Sequence, residues 1–149
     1  MSTATTRLGT GNQLYTEYDY SKIFIGGNYY GSGTLLEASS AETTFTAGTI
    51  LGRITGGGAN DGKLVPLASA ATDGSQFPVG VLSETVTLAA DAEQTVSFCY
   101  GGEIAEEKLI FSGSDDLDVV VSSRTIGDRL RDLGVKYISG TELSLSDNY

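Results

Sequence analysis

The chain has 149 residues, a formal net charge of −10, a pI near 4.2 and 40% apolar residues, enough for one domain with a core and short tails but not for two comfortable domains. Twenty glycines argue against a helical protein, because each costs a helix about 1 kcal/mol relative to alanine, and the expectation is a mainly β fold with one or two short helices. The acidic balance disfavours nucleic acid and anionic membranes as partners, and the complete lack of histidine excludes Ser-His-Asp and Cys-His catalysis.

No apolar stretch approaches the ~20 residues that cross a bilayer, and the opening residues lack the apolar segment of a signal peptide, so a soluble protein made in the cytoplasm is expected. Residues 1–14 are small and polar, with only Leu8 and Leu14 as sizeable apolar side chains. Such a segment buries too little to offset its ordering entropy, and reads either as a frayed end or as an arm that orders on a partner.

From residue 15 the character changes. Tyr15, Tyr18, Tyr20, Tyr29 and Tyr30 crowd around Ile23-Phe24-Ile25. Tyrosine offers large contact area at low side-chain entropy, which suits an interface, although the same rings can simply close one end of a core. Gly26-Gly27-Asn28 and Gly31-Ser32-Gly33 then read as punctuation before the short run Thr34-Leu35-Leu36.

Residues 43–46 read as a strand end and Ala47-Gly48 as a turn. Residues 49–55 follow as a strand with Ile50 and Ile54 on one face. The loop 56–62 leads into Lys63-Leu64-Val65-Pro66-Leu67, where Pro66 removes a ladder donor and marks an edge or a strand end. Residues 78–88 form the longest strand candidate. Residues 94–100 alternate with Cys99 on a strand face, where one cysteine makes no internal disulfide, and Gly101-Gly102 reads as a turn.

Near the end the period switches from two to 3.6. Ile126, Leu130 and Leu133 fall at i, i+4 and i+7, Ser123 or Thr125 stands ready to cap, and Gly134 supplies the stop, predicting a helix of about ten residues. Val135-Lys136-Tyr137-Ile138 returns to strand character, and residues 139–149 form a polar, acidic tail.

Three patterns invite a chemical reading and fall short of it. Gly57-Gly58-Ala59-Asn60-Asp61-Gly62-Lys63 fits the start of a phosphate-binding loop, but Leu64 stands where a magnesium-binding Ser or Thr belongs and no helix follows. Asp115, Asp116 and Asp118 lack calcium-loop spacing and suit an acidic turn. Glu103, Glu106 and Glu107 have no adjoining sugar-stacking aromatics and suit a solvated face. The expectation is therefore no catalytic residue, no metal and no cofactor.

The order Ala47-Gly48-Thr49-Ile50-Leu51-Gly52, then Gly62-Lys63-Leu64-Val65-Pro66, then Ala71-Thr72-Asp73-Gly74-Ser75-Gln76-Phe77-Pro78-Val79-Gly80-Val81-Leu82 resembles the head decoration protein family of tailed bacteriophages. Residues 18–27 resemble the family's opening motif and residues 125–135 its closing helix and strand, so the resemblance spans roughly 18–138. The extended N-terminus, the longer loop 56–62 and the tail depart from it.

The resemblance implies a compact α+β, sandwich- or barrel-like "β-tulip" decoration domain over residues 15–138, with a flexible arm over 1–14 and a tail over 139–149. It also implies a homotrimer that binds the major capsid protein on the outer surface of the mature head and stabilises it against DNA pressure. The arm residues Ser2, Thr3, Thr5, Thr6, Arg7, Leu8, Leu14 and Tyr15 then become the candidate capsid-binding set. Tyr18, Tyr20, Tyr29 and Tyr30 become candidate interface aromatics, and Gly48, Gly52, Thr72, Asp73, Gly74, Pro78 and Gly80 a structural motif. Such a protein is not an enzyme and has no nucleic-acid, membrane or small-molecule partner. The alternative is a fibre or adhesin module that binds glycan through the loop 56–62.

Overall fold

The computed structural model describes the backbone of residues 5–8 and 14–17 and the whole of residues 22–139. In chain order the strands are β1 (Thr5–Leu8), β2 (Leu14–Glu17), β3 (Phe24–Leu36), β4 (Thr43–Phe45), β5 (Ile50–Arg53), β6 (Leu64–Pro66), β7 (Pro78–Leu82), β8 (Val86–Leu88), β9 (Glu93–Ala105), β10 (Val120–Val121) and β11 (Arg124–Thr125). A helix α1 (Ile126–Leu133) and strand β12 (Val135–Ile138) complete the fold, and one 3-10 turn occupies Glu106–Lys108.

The two long strands β3 and β9 form the spine, paired antiparallel from Phe24↔Ile104 to Leu36↔Glu93. Strand β6 pairs parallel to β3 at Leu35↔Leu64, β5 pairs with β6 and β7, and β7 returns to β9 at Val81↔Cys99. The ring β9-β3-β6-β5-β7 is thus a closed five-stranded barrel. Beyond the barrel, the edge of β9 that β7 vacates is taken by β12, parallel, from Val135↔Gly102 to Ile138↔Ala105.

Alternation along the barrel strands sorts side chains between two cores. Leu35, Leu51, Leu64, Leu82, Val96 and Phe98 meet inside, joined by Phe45, Val86 and Leu88 of the β4–β8 ribbon. Their neighbours Ile50, Val81, Cys99 and Ile104 face outward under Ile126 and Leu130 of α1 and Val135 of β12. Both faces of β5 and β7 are therefore covered, which is why their burial does not alternate. The strand predicted over 49–55 stops at Arg53, because Ile54 N–H donates to Lys63 O at 2.9 Å and Thr55 N–H to Asp73 O at 2.7 Å.

Three expectations change. The glycine groups at 26–28 and 31–33 are not turns; they lie inside β3, where the small residues let neighbouring side chains close over the strand, Leu64 above Gly33 and Phe98 above Gly31. Gly101-Gly102 likewise lies inside β9, at a register irregularity opposite Gly27 and Asn28. Gly102 has φ +99°, and a Cβ there would stand 2.5 Å from Gly27 O, so this bulge requires glycine. Asn28 Nδ2 fastens it by donating to Glu103 O at 3.1 Å.

The run 78–88 is two strands rather than one. Ser83 N–H and Oγ–H both donate to Ser97 O, at 3.1 and 2.7 Å, and Ala47 N–H donates to Thr85 Oγ1 at 3.0 Å, turning β8 away from the barrel to pair with β4. The helix is close to its predicted extent. Thr125 Oγ1 accepts the Asp128 N–H at 3.1 Å, and Gly134 closes the end at φ +108° with its N–H on Arg131 O at 3.0 Å.

Candidate functional site

The bulge at Gly101-Gly102 adjoins an exposed aromatic surface. Immediately before it, Tyr100 follows Phe98 on the same face of β9, and Tyr29 lies across from it on β3. The rings of Phe98 and Tyr100 stand 6.5 Å apart at 59°, and Tyr100 and Tyr29 stack at 6.3 Å and 28°. The line runs from the barrel core outward, ending at Tyr100, 43% exposed, and Tyr29, 65% exposed.

Tyr30 pairs with Cys99, so it lies on the opposite face of the sheet, where its ring meets Phe24 edge-on at 5.9 Å. Burial, with a smaller contribution from Cys99, raises the Tyr30 hydroxyl above its ordinary pKa, so it is a neutral donor at physiological pH. Aromatic surface that is stacked in advance loses little side-chain freedom when a partner covers it.

Of the four aromatics named from sequence, Tyr29 and Tyr30 therefore stand at one end of the β3–β9 ladder, while Tyr18 and Tyr20 lie outside the described residues. Tyr100 was missed. Its signal was present, since alternation in 94–100 places Tyr100 and Phe98 on one face.

The arm residues divide similarly. Ser2 and Thr3 lie outside the described residues. The backbones of Thr5, Thr6, Arg7 and Leu8 pair antiparallel with Glu17, Thr16, Tyr15 and Leu14, so β1 and β2 form a two-stranded ribbon. The tail from residue 140 also lies outside the described residues.

The motif residues lie in β5, in β7 and in the segments that lead into them. Gly48 leads into β5, with its N–H donating to Leu82 O at 2.8 Å, and Gly52 pairs with Pro78. Gly80 lies under the Phe98 ring, where a Cβ would come 2.5 Å from Phe98 Cδ2 and 2.8 Å from Cys99 O. The loop between β6 and β7 is tied by its own side chains. Asp73 Oδ1 accepts from Ser75 N–H at 3.1 Å and Oγ–H at 2.6 Å, and Gly74 N–H donates to Gln76 Oε1 at 2.8 Å, while Thr72 is exposed.

The acidic groups have structural work. Asp115 accepts from Ser69 N–H at 2.9 Å and Ser69 Oγ–H at 2.6 Å, pinning two loops together, and Asp116 Oδ1 accepts from Asp118 N–H at 2.9 Å. Among the described residues no group of three or more His, Cys, Asp or Glu is arranged to hold a metal. The loop 56–62 is followed by β6 and closed by Asp61 on Gly57 N–H at 3.2 Å and by Lys63 Nζ on Asn60 Oδ1 at 3.2 Å. Its lysine is engaged there and with Glu93 rather than with an anion site. Among the described residues no helix is long and apolar enough to cross a membrane.

No curated protein shows a significant match to the chain. The family model described as bacteriophage lambda head decoration protein D matches residues 26–120, which takes in β5, β6, β7 and β9, all but the first two residues of β3, and Tyr29, Tyr30 and Tyr100. The match stops short of α1 and β12 and begins after Tyr18 and Tyr20. Covering well over half of the 149 residues, it shows that the chain belongs to the family of the bacteriophage lambda head decoration protein D, a structural family whose members decorate the phage capsid.

Proposed function

We propose that this chain is a cement protein that assembles as a homotrimer on the outer surface of an expanded phage head, grips neighbouring copies of the major capsid protein and resists the pressure of packaged DNA. The observation that carries the reading is the pre-stacked Tyr29–Tyr100 surface on a barrel of the decoration family. A net charge of −10 supports it, because an external cement must bind protein while avoiding DNA.

The residues 1–14 supply a second contact, as an arm that pairs with a capsid segment by strand addition. Ser2, Thr3, Thr5, Thr6, Arg7, Leu8, Leu14 and Tyr15 are its contact residues, and Tyr18 and Tyr20 are further interface aromatics. The ribbon of β1 and β2 supports this, since a short ribbon outside the barrel presents strand edges to a partner.

Mixing the purified protein with expanded, undecorated heads and with unexpanded proheads tests the proposal. Selective binding to expanded heads is expected; equal binding to both, or to neither, overturns it.

A further inference from the structure

We propose that Asn28 is a positioning residue for the capsid contact: its side-chain amide locks the bulge in β9, the bulge lays the Tyr29 and Tyr100 rings across glycines of each other's strand, and Asn28 governs attachment through those rings. This inference rests on the reading that the rings touch the capsid.

Along the β3–β9 ladder, the single step from Tyr30 to Tyr29 is matched by two residues on β9, since Tyr30 pairs with Cys99 and Tyr29 with Gly101. Tyr100 is the additional residue, and a bulge of this kind re-aims the side chains beside it. The two rings then cross between strands. A Cβ built on Gly101 would stand 3.2 Å from Tyr29 Cδ2, so the Tyr29 ring lies over β9 at a residue without a side chain. A Cβ built on Gly31 would stand 3.6 Å from Tyr100 Cδ1 and Cε1, so the Tyr100 ring lies over β3 in the same way. Each ring has the other strand's glycine beneath it, and the pair stacks at 6.3 Å. In an unbulged ladder Tyr29 would stand directly opposite Tyr100. Gly101 would then fall on the other face of the sheet, out from under the Tyr29 ring.

One side chain holds this arrangement from the β3 side. Asn28 Nδ2 donates to Glu103 O at 3.1 Å and to Gly101 O at 3.4 Å, the carbonyls on either side of Gly102, and meets Cys99 Sγ at 3.6 Å. Cys99 Sγ–H donates to the same Gly101 O at 2.9 Å. On the other side the bulge is tied by main chain, Gly102 N–H donating to Gly134 O at 3.0 Å just before β12. A side-chain substitution at residue 28 leaves that backbone bond in place and removes the amide from both carbonyls at once. The loss falls where the ladder is irregular and main-chain pairing is least able to compensate. Asn28 itself is half-buried, while Tyr29 beside it is 65% exposed, so the ring is what a partner meets.

The test uses the full, isotopically labelled chain and expanded, undecorated heads. Ring-to-ring NOEs between Tyr29 and Tyr100 are expected in the unaltered chain. Asn28→Ala, and Asn28→Asp, which keeps the size but loses the donor, should abolish them and weaken head attachment about tenfold. Amide exchange in the barrel half of β3 and β9 should stay unchanged and report an intact barrel. In a chain already carrying Tyr29→Ala and Tyr100→Ala, Asn28→Ala should cost no further attachment, because the amide acts through the rings. NOEs that persist in both Asn28 variants overturn the proposal, as does a further loss of attachment in the chain without the rings. Faster barrel exchange in both variants also overturns it, because it makes Asn28 a general stabiliser. A chain without the rings that attaches as well as the unaltered one overturns the capsid reading itself, a failure visible with Asn28 untouched.

Discussion

The ring of Tyr29 on β3 stacks on that of Tyr100 on β9, centroids 6.3 Å apart, in a pair that two-stranded packing alone holds outside the barrel. Replacing both by alanine removes exposed aromatic area while leaving the interior untouched. Fold stability should change by no more than about 1 kcal/mol. Attachment to expanded heads should weaken by about 2 kcal/mol, roughly thirtyfold, if these rings are interface anchors. Thermal melting and a head-binding titration measure the two effects separately.

Deleting residues 2–14 should leave the barrel and its solution mass intact, because every core contact described above lies at or beyond Ile23. On the proposed trimer, where three arms would act together, capsid attachment should fall by ~10²-fold or more. Unchanged affinity would mean that the arm does not contact the capsid.

Gly80→Ala places a methyl group between Phe98 and the Cys99 carbonyl, both buried parts of the barrel wall. The barrel must open locally to admit it, at a cost of about 1–3 kcal/mol. Chemical denaturation with an unchanged m-value is the appropriate measure.

Thr125→Ala removes the acceptor for the Asp128 N–H at the start of α1. A loss of about 1 kcal/mol is expected, recovered by Thr125→Ser, which restores the oxygen without the methyl group. The rescue distinguishes capping from packing.

Acid should weaken the protein through three carboxylates whose native pKa values are lowered. Asp73 is lowered chiefly by the Ser75 hydroxyl, Glu37 by the Ser39 and Thr43 hydroxyls, and Asp132 by Arg124. A lowered native value means stability that is complete above the ordinary values, 3.8 for aspartate and 4.5 for glutamate, and that drains as pH falls through the native ones. Asp73→Asn should therefore reduce the drop in melting temperature on acidification from near-neutral pH to below the ordinary aspartate value.

Much of this architecture is legible in the residues because local chemistry and tertiary demand agree. The α1 helix carries its own cap, stripe and stop, and 94–100 alternates because one side of β9 lines the barrel and the other meets the helix. The glycines misled for the opposite reason. Gly31 and Gly33 sit where Phe98 and Leu64 need room, a requirement set by residues distant in sequence, and nothing local distinguishes that from a turn. Splitting 78–88 into β7 and β8 depends likewise on Ser97 and Ala47. At the candidate site, Tyr29 and Tyr30 are legible as aromatic density. Tyr100 joins Tyr29 only because the chain pairs β3 with β9.

The 13-residue strands β3 and β9 also give the molecule a mechanical grain. They lie antiparallel over nearly their full length, so tension entering through the residues before Phe24 and opposed at the barrel loads their hydrogen bonds sideways and together, not one after another. A pull across the sheet at β12 meets only four residue pairs and peels them in sequence. The domain is thus stiff along one axis and compliant across it, and a pulling experiment on the two axes should record distinctly different rupture forces.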